Sequence, residues 1–375
     1  MGAAAEDWAC GGREVADEGG GWKVDDGGGG SGLAGRWKKV WTQVSVLDFT
    51  DVPEYYRPLC DEAKICYNNF VDKVLVENNT SYLQRFCYEF SCDDDSERYE
   101  SWLNSAKRRE YFEIDLDFTL GGSRSHRFIE LIYGKRVTVL KLTGVKICGT
   151  PEFFHLPCLK VVHLIKVKFN GNDYMKRLTS NCPSLRKFFI KECTGLDDLL
   201  YVESLTLKSL EICDIVSQAL GRSLSINIKA PNLEYLSFDD EVTHYMVDSL
   251  DLLTQANLNL RDNFPVRVNE YGSNYDTYQD INYLINKASK VDSLRLKTSE
   301  FFINERELPT SGNLTRLEVK DDGCTYELLK QTPKLKSLIF EEVEWIDDSL
   351  SYLAEDGCIS SLKHITVFLD NVCQG

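Results

Sequence analysis

The sequence predicts an α/β solenoid, with short parallel strands stacked side by side on a concave, horseshoe-like face and return segments packed behind them. Three observations predict it. One apolar motif recurs twelve times, its copies keep a near-constant spacing, and turns containing Pro or a small polar residue lead into several of them. The motif is an apolar residue, two others, an apolar residue, one other and an apolar residue. Its copies are Leu83–Phe86–Tyr88, Tyr111–Ile114–Leu116, Val137–Leu140–Leu142, Leu159–Val162–Leu164, Leu185–Phe188–Ile190, Leu207–Leu210–Ile212, Leu233–Leu236–Phe238, Leu253–Ala256–Leu258, Val291–Leu294–Leu296, Leu314–Leu317–Val319, Leu335–Leu338–Phe340 and Leu362–Ile365–Val367. Successive starts lie 28, 26, 22, 26, 22, 26, 20, 38, 23, 21 and 27 residues apart. Ten of these eleven spacings fall within the 20–29 period of leucine-rich repeats. With 43% apolar residues, two or three matches would arise by chance; twelve at this spacing would not.

Each part of the motif has a physical role. The last two apolar residues alternate with period 2, so they point to one face of a short strand. The first sits in the turn entering that strand. A single strand of this kind cannot bury its face alone, so neighbours stack into a continuous core. The leading turns include Leu156-Pro157-Cys158, Cys182-Pro183-Ser184, Ala230-Pro231-Asn232 and Thr332-Pro333-Lys334, where Pro sets the backbone angle and stops the preceding element. Three positions past the strand's last apolar residue stand Val145, Val167, Cys193, Ile215 and Val343 instead of the usual Asn. Apolar packing, not an Asn ladder, is therefore expected to close these turns.

Along the chain, residues 1–32 carry the glycine runs Gly19–Gly21 and Gly27–Gly30 and read as a disordered, Gly-rich tail. Next comes Leu33-Ala34-Gly35-Arg36-Trp37-Lys38-Lys39-Val40-Trp41, followed by Val46-Leu47-Asp48-Phe49. This stretch resembles the end of the F-box in plant F-box/leucine-rich-repeat proteins, which reads roughly L-S-x-R-W-x-x-L-W and then x-L-D-F. The turn Cys182-Pro183-Ser184-Leu185 and the segment Ser289–Leu296 are similar to that family's repeats, and Gly357–Lys363 resembles the start of its C-terminal FBD region. The resemblance implies a non-catalytic substrate-recognition subunit of an SCF-type ubiquitin ligase. It would bind a Skp-type adaptor, with a cullin beyond it, through Leu33, Arg36, Trp37 and Trp41, and a target protein through its repeats. Residues 1–32 contain no L-P-D-E-I-L-type opening, so residues 33–50 correspond to a remnant of the F-box C-terminal helix. The alternative is a repeat-only binding protein, or a truncated gene model, that does not engage the adaptor. Residues 51–80 are expected to be a linker or cap and 81–355 the repeat array. An insertion at about 261–288 accounts for the 38-residue spacing, with Tyr271, Asn274, Tyr275 and Asp276 in a loop. Residues 356–375 form the last repeat and the FBD-like start.

Charge narrows the partners. The chain has 43 basic and 59 acidic residues, for a net −16. That balance argues against nucleic acid, whose phosphates need Lys and Arg, and against anionic membranes. No stretch approaches 18 consecutive apolar residues, and the first thirty hold no apolar leader segment. With thirteen cysteines and no C-x-x-C pair, reduced thiols in the cytoplasm or nucleus are expected. On that expectation the N-x-S/T triplets at Asn78, Asn79 and Asn313 are chance matches.

Catalytic motifs fail on context, and no cofactor or metal is expected. Gly30–Gly35 spells G-x-G-x-x-G, but acids and glycines precede it where a strand is needed. Arg36-Trp37 stand where a P-loop needs Lys and Ser/Thr. The histidines His126, His155, His163, His244 and His364 form no H-E-x-x-H and flank no Cys cluster. The runs Asp93–Asp95 and Asp239–Glu241 lack the alternation of a calcium loop and read as solvated loops.

Residues between the strand's apolar positions should face outward. In the middle repeats these are Val139 and Lys141; Val161, His163 and Ile165; Lys187, Phe189 and Lys191; Ser209 and Glu211; Tyr235 and Ser237. Apolar side chains at wet positions mark a protein-binding surface. The candidate partner surface is therefore Lys141, Val161, His163, Ile165, Phe189, Lys191, Glu211 and Tyr235.

Overall fold

Each of the twelve motif copies forms a strand, and within each unit these strands pair parallel. The computed structural model describes residues 41–50, 61–91, 96–107, 109–120, 136–147, 156–171, 173–196, 199–215, 225–241, 244–261, 275–297, 308–320, 325–343 and 360–369. The Gly-rich stretch 1–32 and residues 33–40 of the expected F-box helix remnant lie outside them. The chain divides into two compact units, Met1–Gly122 and Ser123–Gly375.

The first unit holds three parallel strands in chain order: β1 (Val46–Phe49), β2 (Tyr82–Ser91) and β3 (Glu110–Leu120). Helix α1 (Asp61–Glu77) connects β1 to β2, and α2 (Ser96–Lys107) connects β2 to β3. Val46–Phe49 therefore serves as a repeat-like strand, its Leu47 and Phe49 beside Phe86 and Tyr88 of β2. The stretch expected as a linker or cap contains the whole of α1. The core is aromatic. Tyr88 lies 4.9 Å from Trp102 and 6.0 Å from Phe49, ring centre to ring centre. Trp102 satisfies its indole N–H by donating to Asp72 Oδ1 at 2.5 Å, as a buried Trp must. Asn78 is buried and donates from Nδ2 to the Val44 carbonyl at 2.9 Å, so the first sequon-like triplet is part of the structure.

The main sheet of the second unit comprises β4 (Val139–Thr143), β5 (Val161–Ile165), β6 (Lys187–Lys191), β8 (Ser209–Cys213), β10 (Tyr235–Glu241), β12 (Gln255–Arg261), β13 (Ser293–Lys297), β14 (Arg316–Lys320), β15 (Ser337–Val343) and β16 (His364–Leu369), hydrogen-bonded in that order. The period-2 reading holds: inward residues such as Leu140, Leu142, Val162, Leu164, Phe188 and Ile190 are buried, and their neighbours are half-buried or, at Lys187, exposed. Three return segments contain further strands, β7 (Leu199–Glu203), β9 (Ser225–Lys229) and β11 (His244–Val247), which form a second parallel sheet in the order β11-β9-β7. Two helices pack against its ends: α3 (Asp173–Asn181) on β7 and α4 (Tyr275–Lys287) on β11. Tyr283 donates from its hydroxyl to the Val247 carbonyl at 2.7 Å. A short helix α5 (Thr325–Lys330) precedes β15.

The leading turns have a shared geometry. In Leu156–Leu159, Cys182–Leu185, Ala230–Leu233 and Thr332–Leu335 the fourth residue's amide donates to the first residue's carbonyl at 3.0–3.2 Å. These are β-turns with Pro at the second position, where its fixed φ fits. At the other end of the strands the chain turns through Gly144, Lys166, Glu192 and Asp214, all at positive φ between 49° and 69°. Each of these amides donates to a carbonyl of the next repeat at 2.8–3.0 Å. Val145, Val167, Cys193 and Ile215 then drop into the core, so apolar residues close these turns.

Two expectations are corrected. Asp239–Glu241 is not a solvated loop; it continues β10, and Asp240 is 5% exposed. Its Oδ2 accepts the Ile215 amide at 2.9 Å, which supplies the acceptor that buried N–H group needs. Tyr275 and Asp276 are not loop residues but open α4, whose Ile281, Leu284, Ile285 and following Ala288 are buried at helical spacing.

Candidate protein-binding face

Parallel register carries one outward residue of each strand into a line. Lys141, His163, Phe189 and Glu211 stand side by side on β4, β5, β6 and β8. The line continues through Ser237, Asn257, Arg295 and Glu318. A second line runs Val139, Val161, Lys187, Ser209, Tyr235, and a third Thr143, Ile165, Lys191, Cys213, Asp239. The structure thus brings Lys141, Val161, His163, Ile165, Phe189 and Lys191 together on three adjacent strands, with Glu211 beside them. Tyr235 lies three strands from Val161, about 14 Å at the usual strand spacing. All eight are half-buried. The His163 and Phe189 rings sit 5.4 Å apart, at 60°. Ser237 faces the same way but is buried, with its hydroxyl accepting from Asn257 Nδ2 at 3.1 Å.

Leu33, Arg36 and Trp37 lie outside the described residues. Trp41 begins a short 3-10 turn, Trp41–Gln43, ahead of β1.

The face changes character along the sheet. From β10 onward its charges pair with one another. Arg261 forms ion pairs with Asp214 and with Asp239 (3.5 Å), and Asp239 also accepts from Asn259 Nδ2 at 2.9 Å. Arg295 contacts Glu318 at 2.7 Å and Glu341 at 2.8 Å, while Lys297 also pairs with Glu341 and Arg316 reaches Glu318 at 3.4 Å. Burial alone would raise the Glu341 carboxyl, but hydrogen bonds from Glu318, Arg295 and Lys297 hold it down at about 2. Burial and the hydrogen bond to Glu341 push Glu318 the other way, above the usual carboxylate range. Sequence reasoning stopped at the middle repeats and missed this network; extending the motif register to β13–β15 would have aligned Arg295 with Glu318.

Four of the thiols, Cys87, Cys182, Cys193 and Cys213, are held away from nucleophilic chemistry by burial. Burial pushes Cys87 and Cys193 up to about 12 and Cys182 and Cys213 up to about 11, so each is protonated at neutral pH. No helix among the described residues is long and apolar enough to cross a membrane. The face is a sheet held by backbone hydrogen bonds that presents half-buried apolar and charged side chains.

Residues 80–330 match the family model described as At1g61320/AtMIF1, LRR domain. The chain belongs to this leucine-rich-repeat family. It is also similar to curated proteins of Arabidopsis thaliana. One is F-box/LRR-repeat protein 13, 28% identical over 360 residues, covering 89% of this chain and 76% of the relative. Another is a putative FBD-associated F-box protein, At3g50710, 27% identical over 340 residues, covering 85% and 73%. A third is a putative F-box/FBD/LRR-repeat protein, At1g66300, 26% identical over 360 residues, covering 89% and 75%. The resemblance to plant F-box/LRR proteins is thereby shown. A repeat-based protein-interaction role follows.

Proposed function

We propose that this protein is the substrate-recognition subunit of an SCF-type ubiquitin ligase. It captures a target protein on the outward face of its second unit and joins the ligase through a Skp-type adaptor and a cullin, in the cytoplasm or nucleus. The observation that carries the reading is the set Val161, Ile165, Phe189 and Tyr235. These apolar side chains are half-buried on a face that points away from the core, in a chain similar over most of its length to F-box/LRR proteins. Anchors of this kind, ringed by polar groups, concentrate binding energy at protein interfaces. Adaptor contact falls to Leu33, Arg36, Trp37 and Trp41. The chain contributes no catalytic group of its own; it positions one protein beside another.

The test is adaptor binding by two forms, the chain as it stands and the chain with an L-P-D-E-I-L-type helix pair placed before Leu33. The reading expects the extended form to bind with a Kd of about 1 μM or tighter, and the double change Trp37→Ala, Trp41→Ala to weaken this at least about tenfold. Absence of binding by both forms overturns the receptor reading and leaves a repeat-only binding protein.

A further inference from the structure

The chain is strongly acidic, yet one stretch is not. Residues 135–191 contain twelve of the 43 basic residues and two of the 59 acidic ones, Glu152 and Asp173. That stretch carries a net +10 in a chain of net −16. It contains β4, β5 and β6, the strands that bear Val139, Val161, Ile165 and Phe189. Lys187 stands in line between Val161 and Ser209. Just past the strands, Lys146 and Lys168 are bridge partners on adjacent repeats, so like charges stack at strand spacing. Glu192 pairs with two of this group, reaching Lys166 and Lys191 at 3.6 Å each. Lys146, Lys168 and Lys187 have no carboxylate within ion-pair distance among the described residues. On β10–β15, by contrast, Arg261, Arg295, Lys297 and Arg316 all pair with acids of the same face.

Stacked like charges oppose folding. Lys187 on β6, with Lys146 and Lys168 just past β4 and β5, flanks an apolar strip in a sheet whose later strands pair Arg261, Arg295, Lys297 and Arg316 internally, and this is the complement of an external anion. We infer that the β4–β6 face docks an acidic segment of the target protein, its carboxylates on Lys146, Lys168 and Lys187 and its apolar anchors on Phe189, Val161 and Ile165. This rests on the receptor reading and names the partner chemistry of the same face. A protein segment fits better than nucleic acid. The centre of the patch is apolar, and the face beyond it turns acidic at Glu211 and Asp239, which would repel a continuing phosphate backbone.

The test uses the full chain and fluorescence anisotropy with three probes: a synthetic peptide alternating Asp/Glu with Phe/Leu, the same peptide with Lys in place of every acid, and a short single-stranded oligonucleotide. The acidic peptide should bind, more weakly as ionic strength rises. Lys187→Glu, Lys168→Glu and Phe189→Ala should each weaken it at least about tenfold, with Tm lowered by no more than about 4 °C. Lys290→Glu, on a lysine after α4 that pairs with Asp251, should leave binding intact. No binding of the acidic peptide, equal binding of the Lys peptide, tighter binding of the oligonucleotide, or indifference to the Lys187 and Lys168 reversals overturns the inference. If that happens while the extended chain still binds the adaptor, the receptor reading stands; if adaptor binding also fails, both fall.

Discussion

Phe188 and Phe189 are adjacent, chemically identical and assigned to opposite faces of β6, so they test the register with composition held constant. Phe188 is 1% exposed and lies beside Val162 of β5 and Leu210 of β8, both fully buried. Truncating it to Ala removes a ring from a filled core. Such changes cost about 3–5 kcal/mol, since the transfer term is joined by the cavity left behind. Phe189 is half-buried on the outward face, and Phe189→Ala opens no closed cavity; its loss should stay below about 1 kcal/mol. For a unit of this size each kcal/mol moves Tm by roughly 2–4 °C. Phe188→Ala should therefore lower Tm by roughly 6–20 °C and Phe189→Ala by no more than about 4 °C. The assay is thermal unfolding followed by far-UV circular dichroism, with hydrogen exchange to localise the damage. Contacts in a repeat array are between neighbours, so protection should fall first on β5, β6 and β8. Equal destabilisation by the two substitutions would refute the face assignment, and with it the candidate surface.

Gly195 sits at φ +76°, and a Cβ there would stand 1.9 Å from the Phe169 carbonyl oxygen. Gly195→Ala should destabilise by more than the roughly 1–2 kcal/mol of a left-handed residue, read by urea unfolding. Thiol labelling of the native protein at neutral pH, read by peptide mass, should modify exposed Cys158 quickly and spare Cys182 and Cys193, which burial holds protonated up to about 11 and 12. Because Glu341 is held near 2 in the folded state, below its unfolded value, its stabilisation is present above its ordinary range and fades as pH falls toward about 2. Glu318, shifted upward, works in the opposite sense. Glu341→Gln should lower stability at neutral pH and flatten the acid limb of the stability curve; an unchanged acid limb would contradict the network.

The twelve motif strands were legible because period-2 alternation is a local property: Leu140 and Leu142, or Phe188 and Ile190, declare the inward face without reference to anything distant. The strands of the second sheet were not. Leu200 and Val202, Ile226 and Ile228, and Tyr245 and Val247 alternate just as well, but they lie in return segments that the motif does not describe. Val46–Phe49 was absorbed by the resemblance to an F-box end, although four residues suffice for a strand once β2 offers a partner. Asp240 misled because acidic runs are usually wet; its role depends on an amide 25 residues earlier, which no local pattern reveals. The opening of α4 misled through its polar Tyr275 and Asp276, while Ile281, Leu284, Ile285 and Ala288 carried the helical spacing. For the outward face the alternation yielded which residues point away from the core. Which charges cancel was not legible, because the pairing of Arg261 with Asp214 spans 47 residues and depends on side-chain reach. The lysine excess of residues 135–191, by contrast, could have been counted from the sequence alone.

The central claim is that the outward face of β4–β6 is where a partner protein is held. Its most direct test places a photo-crosslinking residue at Phe189, on that face, or at Tyr201, on the second sheet beneath Lys176 and Lys229. The two proteins are irradiated in extracts of plant cells with proteasome activity blocked. A discrete crosslinked partner from position 189, absent from position 201 and lost when Lys187→Glu is added, is the predicted result. The same partner trapped from position 201, or trapped from 189 regardless of Lys187, would contradict the account.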